Sequence, residues 1–301
     1  MDFVVHVGKF PAPGETVLGS AFEMDPGGKG ANQAGAIGRL GGANIQTKMI
    51  GRVGYDLFAD HLKASLAADS VDVSGIHATR SEPTGVAFIW VDQAGQNSIV
   101  VAPGANNALS ARDVESFRSV LSGAHAALFQ LETPLDAVEA ALKLARSLGV
   151  RTILDPAPAQ PLSPAFLSNV DILTPNETEA CILLGRPPVR VGVADAPEVA
   201  KAIRLLGARA VILKLGDQGC YYQDESVEWM SPAFKVEAID TTAAGDTFNG
   251  SLAVALAEGE SIDCALRFAN AASALSVTRK GAQLSVPKRS EVDALLKSSA
   301  S

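Results

Sequence analysis

The sequence predicts an α/β protein built on a doubly wound, mostly parallel sheet, with a small separate β-sheet outside it. Three observations predict it. From Ser110 onward strand-like and helix-like runs alternate, the pattern of a parallel sheet wrapped by helices. Residues 210–214 form a near-continuous apolar run, the kind of strand that such a sheet buries on both faces. Earlier in the chain, residues 3–22 and 85–101 each hold two strand-like runs with no helix between them. Those four belong outside the main layer.

Residues 3–7 are apolar and β-branched, hence a strand. Pro11-Ala12-Pro13-Gly14 turns the chain, and residues 15–22 alternate well enough to be the partner. Pro26-Gly27-Gly28-Lys29-Gly30 places three glycines around a lysine, ahead of a helix over 31–40. Such a loop lets backbone approach a polar ligand, and it equally suits a flexible connection. Asn32 and Gln33 open the helix with two amides able to face the same ligand. Residues 45–50 read as a strand, Gly51-Arg52-Val53-Gly54 as a turn, and 56–68 as an amphipathic helix with Leu57, Phe58, Leu62 and Leu66 on one side. Strands at 85–91 and 96–101 are joined by Asp92-Gln93-Ala94-Gly95. A four-stranded sheet with one apolar face must cover that face, over a ligand, against a second subunit, or both. Residues 1–23 and 83–103 are therefore assigned to this small sheet, and 24–82 with 104–301 to the main domain.

The second half reads as helix 111–121, strand 126–130, helix 135–148, strand 151–155, strand 171–174 and helix 176–184. Helix 197–206, strand 210–214 and a hairpin at 220–223 and 227–230 follow. A strand-like run at 234–239 precedes helices at 247–257, 262–278 and 291–297. Ligands of such sheets bind beyond the carboxyl ends of the strands. Glu132, Asp155, Asn176 and Gly216-Asp217 stand there.

Composition narrows the function. A net charge of −8 argues against nonspecific nucleic-acid binding. No apolar run is long enough to span a bilayer, and Met1-Asp2-Phe3 lacks the basic and apolar regions of a signal peptide. Three scattered cysteines, Cys181, Cys220 and Cys264, read as small apolar residues of a reducing cytoplasm. The four histidines show no metal-ligand spacing.

The chemistry concentrates in Asp240-Thr241-Thr242-Ala243-Ala244-Gly245-Asp246-Thr247-Phe248-Asn249-Gly250. Ala243, Ala244 and Gly245 are the smallest residues available at a helix start, where backbone N–H groups lack partners and the dipole favours an anion. Asp246 beside that cradle would repel a bound anion unless it has a purpose. Accepting a proton from a hydroxyl that attacks a phosphoryl group is one. The same residues also suit an ordinary helix N-terminus with a capping aspartate.

Taken together, the motifs resemble the ribokinase group of carbohydrate kinases. The resemblance covers about Asp2 to Pro287. It is carried by Phe10-Pro11-Ala12-Pro13-Gly14-Glu15-Thr16, Gly27-Gly28-Lys29-Gly30-Ala31-Asn32-Gln33-Ala34, Thr174-Pro175-Asn176-Glu177-Thr178-Glu179, the Asp240 to Gly250 stretch, and Val277-Thr278-Arg279-Lys280-Gly281-Ala282-Gln283. It implies ATP-dependent phosphorylation of the 5-hydroxyl of D-ribose, with Asp246 as general base and Ala243, Ala244 and Gly245 as the anion hole. It implies a sugar pocket of Asp2, Gly27, Gly28, Asn32, Glu132 and Asp246. Carboxylates suit a polyol because they accept several O–H donors, although Glu132 also reads as a solvated strand end. ATP would lie along Lys214, Leu215, Gly216, Asp217, Gln218 and Gly219, against Gly245 and Asp246, with Asn270 near the base and Asn176 near the phosphates. Glu179 would act on Mg²⁺ through water, and it reads equally as a helix-surface acid. The resemblance further implies a K⁺ site of Asp240, Thr242, Ser276, Arg279, Gly281 and Ser285, and makes the small sheet of residues 1–23 and 83–103 a lid that also forms the homodimer contact.

One departure stands out. The chain begins at the Asp of the family's Gly-Ser-x-Asn-x-Asp signature, as Asp2. The sugar-binding Asn and a preceding strand of the main sheet have no counterpart. The expectation is a start set too late; the alternative is a compromised sheet and pocket. Deoxyribose, another sugar, and a non-catalytic sugar- or nucleotide-binding role are the rival readings.

Overall fold

A computed structural model describes residues 1–299. Its main layer is a six-stranded sheet in the order β12-β11-β10-β9-β8-β7. Four of these strands are parallel: β7 (Ala126–Phe129), β8 (Arg151–Leu154), β9 (Ile172–Leu173) and β10 (Ala210–Lys214). The antiparallel hairpin of β11 (Gly219–Gln223) and β12 (Glu228–Pro232) extends the sheet at one edge.

Alternation along these strands builds the two cores. Ile153, Ile172, Ala210, Ile212, Cys220 and Tyr222 face one way, against α1 (Lys29–Gly41), α9 (Ala244–Ala257), α10 (Ile262–Ser276) and α11 (Arg289–Ser298). Leu154, Leu173, Val211, Leu213 and Tyr221 face the other. They meet α5 (Leu135–Ser147), α6 (Pro164–Leu167), α7 (Glu177–Leu183) and α8 (Ala196–Arg204). Strands buried on both faces cannot alternate polar with apolar, which is why they read as continuous apolar runs.

The small sheet runs β2-β1-β5-β6, from β1 (Asp2–Val7), β2 (Gly19–Asp25), β5 (Val86–Val91) and β6 (Asn97–Ala102). The partner of β1 therefore lies later than the predicted 15–22. The central pair β1 and β5 is parallel, so the sheet joins two segments distant in sequence. Its register puts Phe3, Phe22, Met24, Phe88 and Val100 on one face. Asp2 and Asp25 share the other.

Several expectations need correction. The predicted strand at 45–50 is β3 (Thr47–Val53), which continues through the supposed turn at 51–53. It pairs in parallel with β4 (Val71–Ala78), a strand the sequence reading missed. These two form a separate sheet, closed by α2 (Leu57–Ala68) with a core of Ala34, Val53, Ala59, Leu66, Val71 and Ile76. Helix α1 touches both β3 and β7, and among the described residues no strand bridges them. The predicted helix 111–121 breaks at Phe117 into α3 (Ala111–Ser116) and α4 (Arg118–Leu121). Residues 234–239 are not a strand. Ile239 N–H donates to Val277 O at 2.7 Å, so this segment is tied to the end of α10 instead of to a sheet edge. Among the described residues no helix is long and apolar enough to cross a membrane.

Candidate active site

The first turn of α9 is open. Ala243 caps it in the left-handed region, at φ 55°, and no side chain bonds the free N–H groups. The helical ladder begins with Thr247 N–H to Ala243 O at 2.8 Å, so Gly245 and Asp246 present their N–H groups unpaired by the helix. Left-handed backbone at a non-glycine residue costs roughly 1 kcal/mol or more and persists where its surroundings impose it. Here Ser273 Oγ on α10 donates to Ala244 O at 3.0 Å.

Asp246 is buried under this turn and is held from α1. Asn32 Nδ2 donates to its Oδ2 at 3.0 Å, and Gln33 Nε2 to its Oδ1 at 3.0 Å. Gln33 Nε2 also reaches Asp155 Oδ2 at 2.9 Å, and Asp155 Oδ1 accepts from Lys214 Nζ at 3.0 Å. Gln130 Nε2 donates to Gln33 Oε1, and Gln283 Nε2 to Asn32 Oδ1. Both amides of α1 are thus oriented from behind.

The residues expected around a sugar converge on the same α1 terminus. Glu132 Oε2 accepts from Lys29 N–H at 2.8 Å. A side chain at Gly27 would collide with the Asp2 carboxylate, so only glycine lets β1 and this loop meet. Asp2, Gly27, Gly28, Asn32, Glu132 and Asp246 therefore lie together.

On the other side of α9, the chain from Lys214 to Gly219 links β10 to β11, closed by Leu215 N–H to Gly219 O at 2.8 Å. Lys214 Nζ stands 3.4 Å from where a Cβ on Gly245 would be, which brings this loop to the open turn. Asn176 caps α7 in a reciprocal box: its Oδ1 accepts from Glu179 N–H at 2.8 Å, and Glu179 Oε2 accepts from Asn176 N–H at 2.7 Å. Asp217 is exposed and paired with Arg190. Asn270 is buried, and its amide donates to Ser231 Oγ at 3.0 Å and Ser231 O at 3.1 Å, so it clamps α10 to β12. Asp240 joins two loops, Oδ1 accepting from Thr242 N–H and Oδ2 from Gly281 N–H, both at 2.9 Å. Ser276 and Ser285 are buried, while the Arg279 guanidinium turns away to Glu291.

The arrangement sets an acid beside the open first turn of a helix, with the Asp2 and Glu132 carboxylates on one side and a glycine loop on the other. The model of the pfkB family carbohydrate kinases matches residues 1–289. The chain belongs to this carbohydrate kinase family. It is 44% identical over 293 residues to a ribokinase of Haemophilus influenzae, covering 96% of this chain and 93% of that one. Its fold matches the ribokinase of Thermotoga maritima with TM-score 0.88 and 39% identity, over 98% of this chain and 96% of that chain. It matches the Arabidopsis thaliana ribokinase complexed with ribose and ATP with TM-score 0.88 and 34% identity, over 98% and 95% of the two chains.

Burial raises several carboxyls of this carbohydrate kinase. Burial pushes Asp246 up to about 6; Lys29 and the amides of Asn32 and Gln33 oppose the shift, and the charge of Asp155 adds to it. Burial also raises Glu132, Asp2 and Glu179. Lys29 and Lys214 are buried too, yet surrounding carboxylates outweigh the burial and keep both charged. The sequence reading missed the Lys29 ammonium and the chain of bonds from Gln33 through Asp155 to Lys214. Asp155 was visible as a polar strand end, but nothing local reported its partners.

A general base works only when ionised. Asp246 gains its proton as pH falls through about 6. Turnover efficiency for the phosphate acceptor is expected to fall about tenfold per pH unit below that point. Steady-state rates across a buffer series check it, and a profile flat to about pH 5 would exclude Asp246 as the base.

Proposed function

We infer that this chain transfers the γ-phosphoryl group of ATP to the 5-hydroxyl of D-ribose, giving ribose 5-phosphate and ADP. The observation that carries the reading is the buried Asp246 carboxylate beside the unpaired N–H groups of α9. In this mechanism Asp246 takes the hydroxyl proton as the sugar oxygen bonds to phosphorus, and the bond to the β,γ-bridging oxygen breaks to release ADP. The N–H groups of the Ala243 to Gly245 turn meet charge on the phosphoryl oxygens. Asp2, Glu132 and Asn32, with the backbone of Gly27 and Gly28, hold the remaining hydroxyls. The Lys214 to Gly219 loop lies along the nucleotide, with Asn176 toward the phosphates and Asn270 bracing β12 near the base.

Mg²⁺ accompanies ATP and shields its phosphate charge. Among the described residues no cluster of three or more acidic, His or Cys side chains forms a protein cage for a metal. Glu179 fits the lesser role of binding the ion's water: its oxygens are fixed by Asn176 and retain lone pairs. K⁺ is a further proposal. Asp240, with Thr242, Ser276, Arg279, Gly281 and Ser285, would hold it largely through backbone carbonyls, stiffening the loop that enters α9.

The small sheet, with residues 1–23 and 83–103, is proposed as the lid over the sugar and as the contact between two copies of the chain. The face that carries Phe3 also exposes Phe22, Met24, Phe88 and Val100, an apolar surface unusual on a monomer. The three cysteines are free thiols, which suits a reducing cytoplasm.

With ATP, Mg²⁺, K⁺ and D-ribose, ADP release is expected, and Asp246→Asn should lower kcat about a thousandfold or more while ADP still binds. No turnover by the parent chain would favour a binding protein, and a higher kcat/KM for 2-deoxyribose would change the sugar. Replacing K⁺ by Na⁺ should slow the parent several-fold but leave Asp240→Asn unmoved; equal parent rates in both salts remove the cation site. Sedimentation should find a dimer that Phe88→Asp converts to monomer; an unchanged mass places the interface elsewhere.

A further inference from the structure

Lys214 ends β10, and its place in the alternation decides where it points. Ala210 and Ile212 face the core that holds α9 and α10, and Lys214 continues that face. Its ammonium therefore rises under the first turn of α9, 3.4 Å from where a Cβ on Gly245 would stand. The side chain is only 12% exposed. One of its three N–H groups donates to Asp155 Oδ1 at 3.0 Å, and among the described residues the other two find no acceptor. Asp155 is itself almost fully buried and shares Gln33 with Asp246. One acid thus orients the cation and, through one amide, the base.

A buried ion pair whose only task is structural gains little over an apolar pair of the same size. A cation with unspent donors beside a backbone anion cradle is instead placed to meet anionic oxygen. We propose that the Lys214 ammonium, aimed by Asp155, is a catalytic contact to the transferred phosphoryl group, bonding its oxygens more strongly in the transition state than in bound ATP. The step stays balanced as before: the sugar oxygen gains phosphorus, ADP leaves with the bridging oxygen, and Asp246 keeps the proton. Lys214 stays protonated throughout. The backbone N–H groups of α9 act from one side of the phosphoryl group and Lys214 from another. Asp155 is a positioning residue here, acting through Lys214.

The proposal rests on the kinase reading above. Its test compares the parent chain with Lys214→Met, Lys214→Arg and Lys214→Met/Asp155→Asn, using ATP, Mg²⁺ and D-ribose. ADP affinity and the affinity of ADP with aluminium fluoride, both with D-ribose present, are measured alongside. Lys214→Met should lose about a hundredfold in kcat, with the ribose KM and ADP affinity within about threefold of the parent. The aluminium fluoride complex should weaken by a factor similar to the kcat loss, and Lys214→Arg should recover part of both. Should Lys214→Met fail to fold with Asp155 left unpaired, the double variant is read by the same criteria against Asp155→Asn alone, because Asp155 also orients Asp246 through Gln33. A folded variant with kcat within about threefold of the parent, or one whose kcat loss is matched by lost ADP affinity, overturns the proposal. A parent chain without turnover overturns the kinase reading and this inference with it. An active parent beside an unimpaired Met variant overturns this inference alone.

Discussion

The close crossing of α1 and α9 is the constraint on which the rest of the structure depends. Gly250 on α9 faces α1 so tightly that a Cβ there would sit 2.7 Å from Ala36 Cβ and 2.8 Å from Gln33 O. That approach lets two amides at the start of α1 reach a carboxylate in the first turn of α9. It also buries that carboxylate. Raising Asp246 from its ordinary 3.8 to about 6 corresponds to roughly 3 kcal/mol against folding. The sign follows from which form is disfavoured: the penalty is full when the group is ionised, above about 6, and vanishes below the ordinary carboxylate range. The left-handed Ala243 adds roughly another 1 kcal/mol. Two apolar cores, one on each face of the sheet, offset this local instability, so the site can hold an acid in a state that water would not favour.

The parallel sheet then determines which other groups join Asp246. Glu132 follows β7, Asp155 follows β8, Asn176 follows β9 and Lys214 ends β10. Parallel neighbours terminate on the same side, so four residues far apart in sequence arrive along one edge beneath α9. Their chemistry is graded along that edge, from the acid that meets the Gly27-Gly28-Lys29 loop to the amide and lysine beside the glycine loop after β10. Strand order thus puts Glu132 and Asp155 toward one end of the edge and Asn176 and Lys214 toward the other, and in the proposed mechanism these ends meet the sugar hydroxyls and the phosphates.

Much of this was legible in the sequence, for identifiable reasons. Strand β10 is recognisable because burial on both faces leaves a continuous apolar run. The anion cradle is recognisable because small residues precede an acid at a helix start. Strand β4 was missed because Val71-Asp72-Val73-Ser74-Gly75-Ile76-His77-Ala78 carries polar residues and a glycine, the marks of a strand outside the main layer. The run at 234–239 alternates like a strand but pairs with a helix end, a tertiary choice that no local pattern reports. The bonds among Gln33, Asp155 and Lys214 join residues 122 and 59 positions apart. Each residue alone reads as an ordinary polar group. Asn270 shows the converse: the resemblance alone places it near the nucleotide base, yet its amide nitrogen is committed to the backbone of β12.

Asp2 joins the small sheet to the chemistry. It lies on β1, which has β2 on one side and β5 on the other, so it is held by a strand that cannot move alone. Its carboxylate meets Gly27 with no room for a side chain, and Phe3 beside it packs edge-on against Phe58 of α2. A hydroxyl compound that bonds Asp2 and Glu132 together therefore acts on the whole sheet, because Glu132 belongs to the main layer and Asp2 does not. On the proposed lid role, binding energy from parts of the substrate remote from phosphorus would be spent on holding the sheet down and water out.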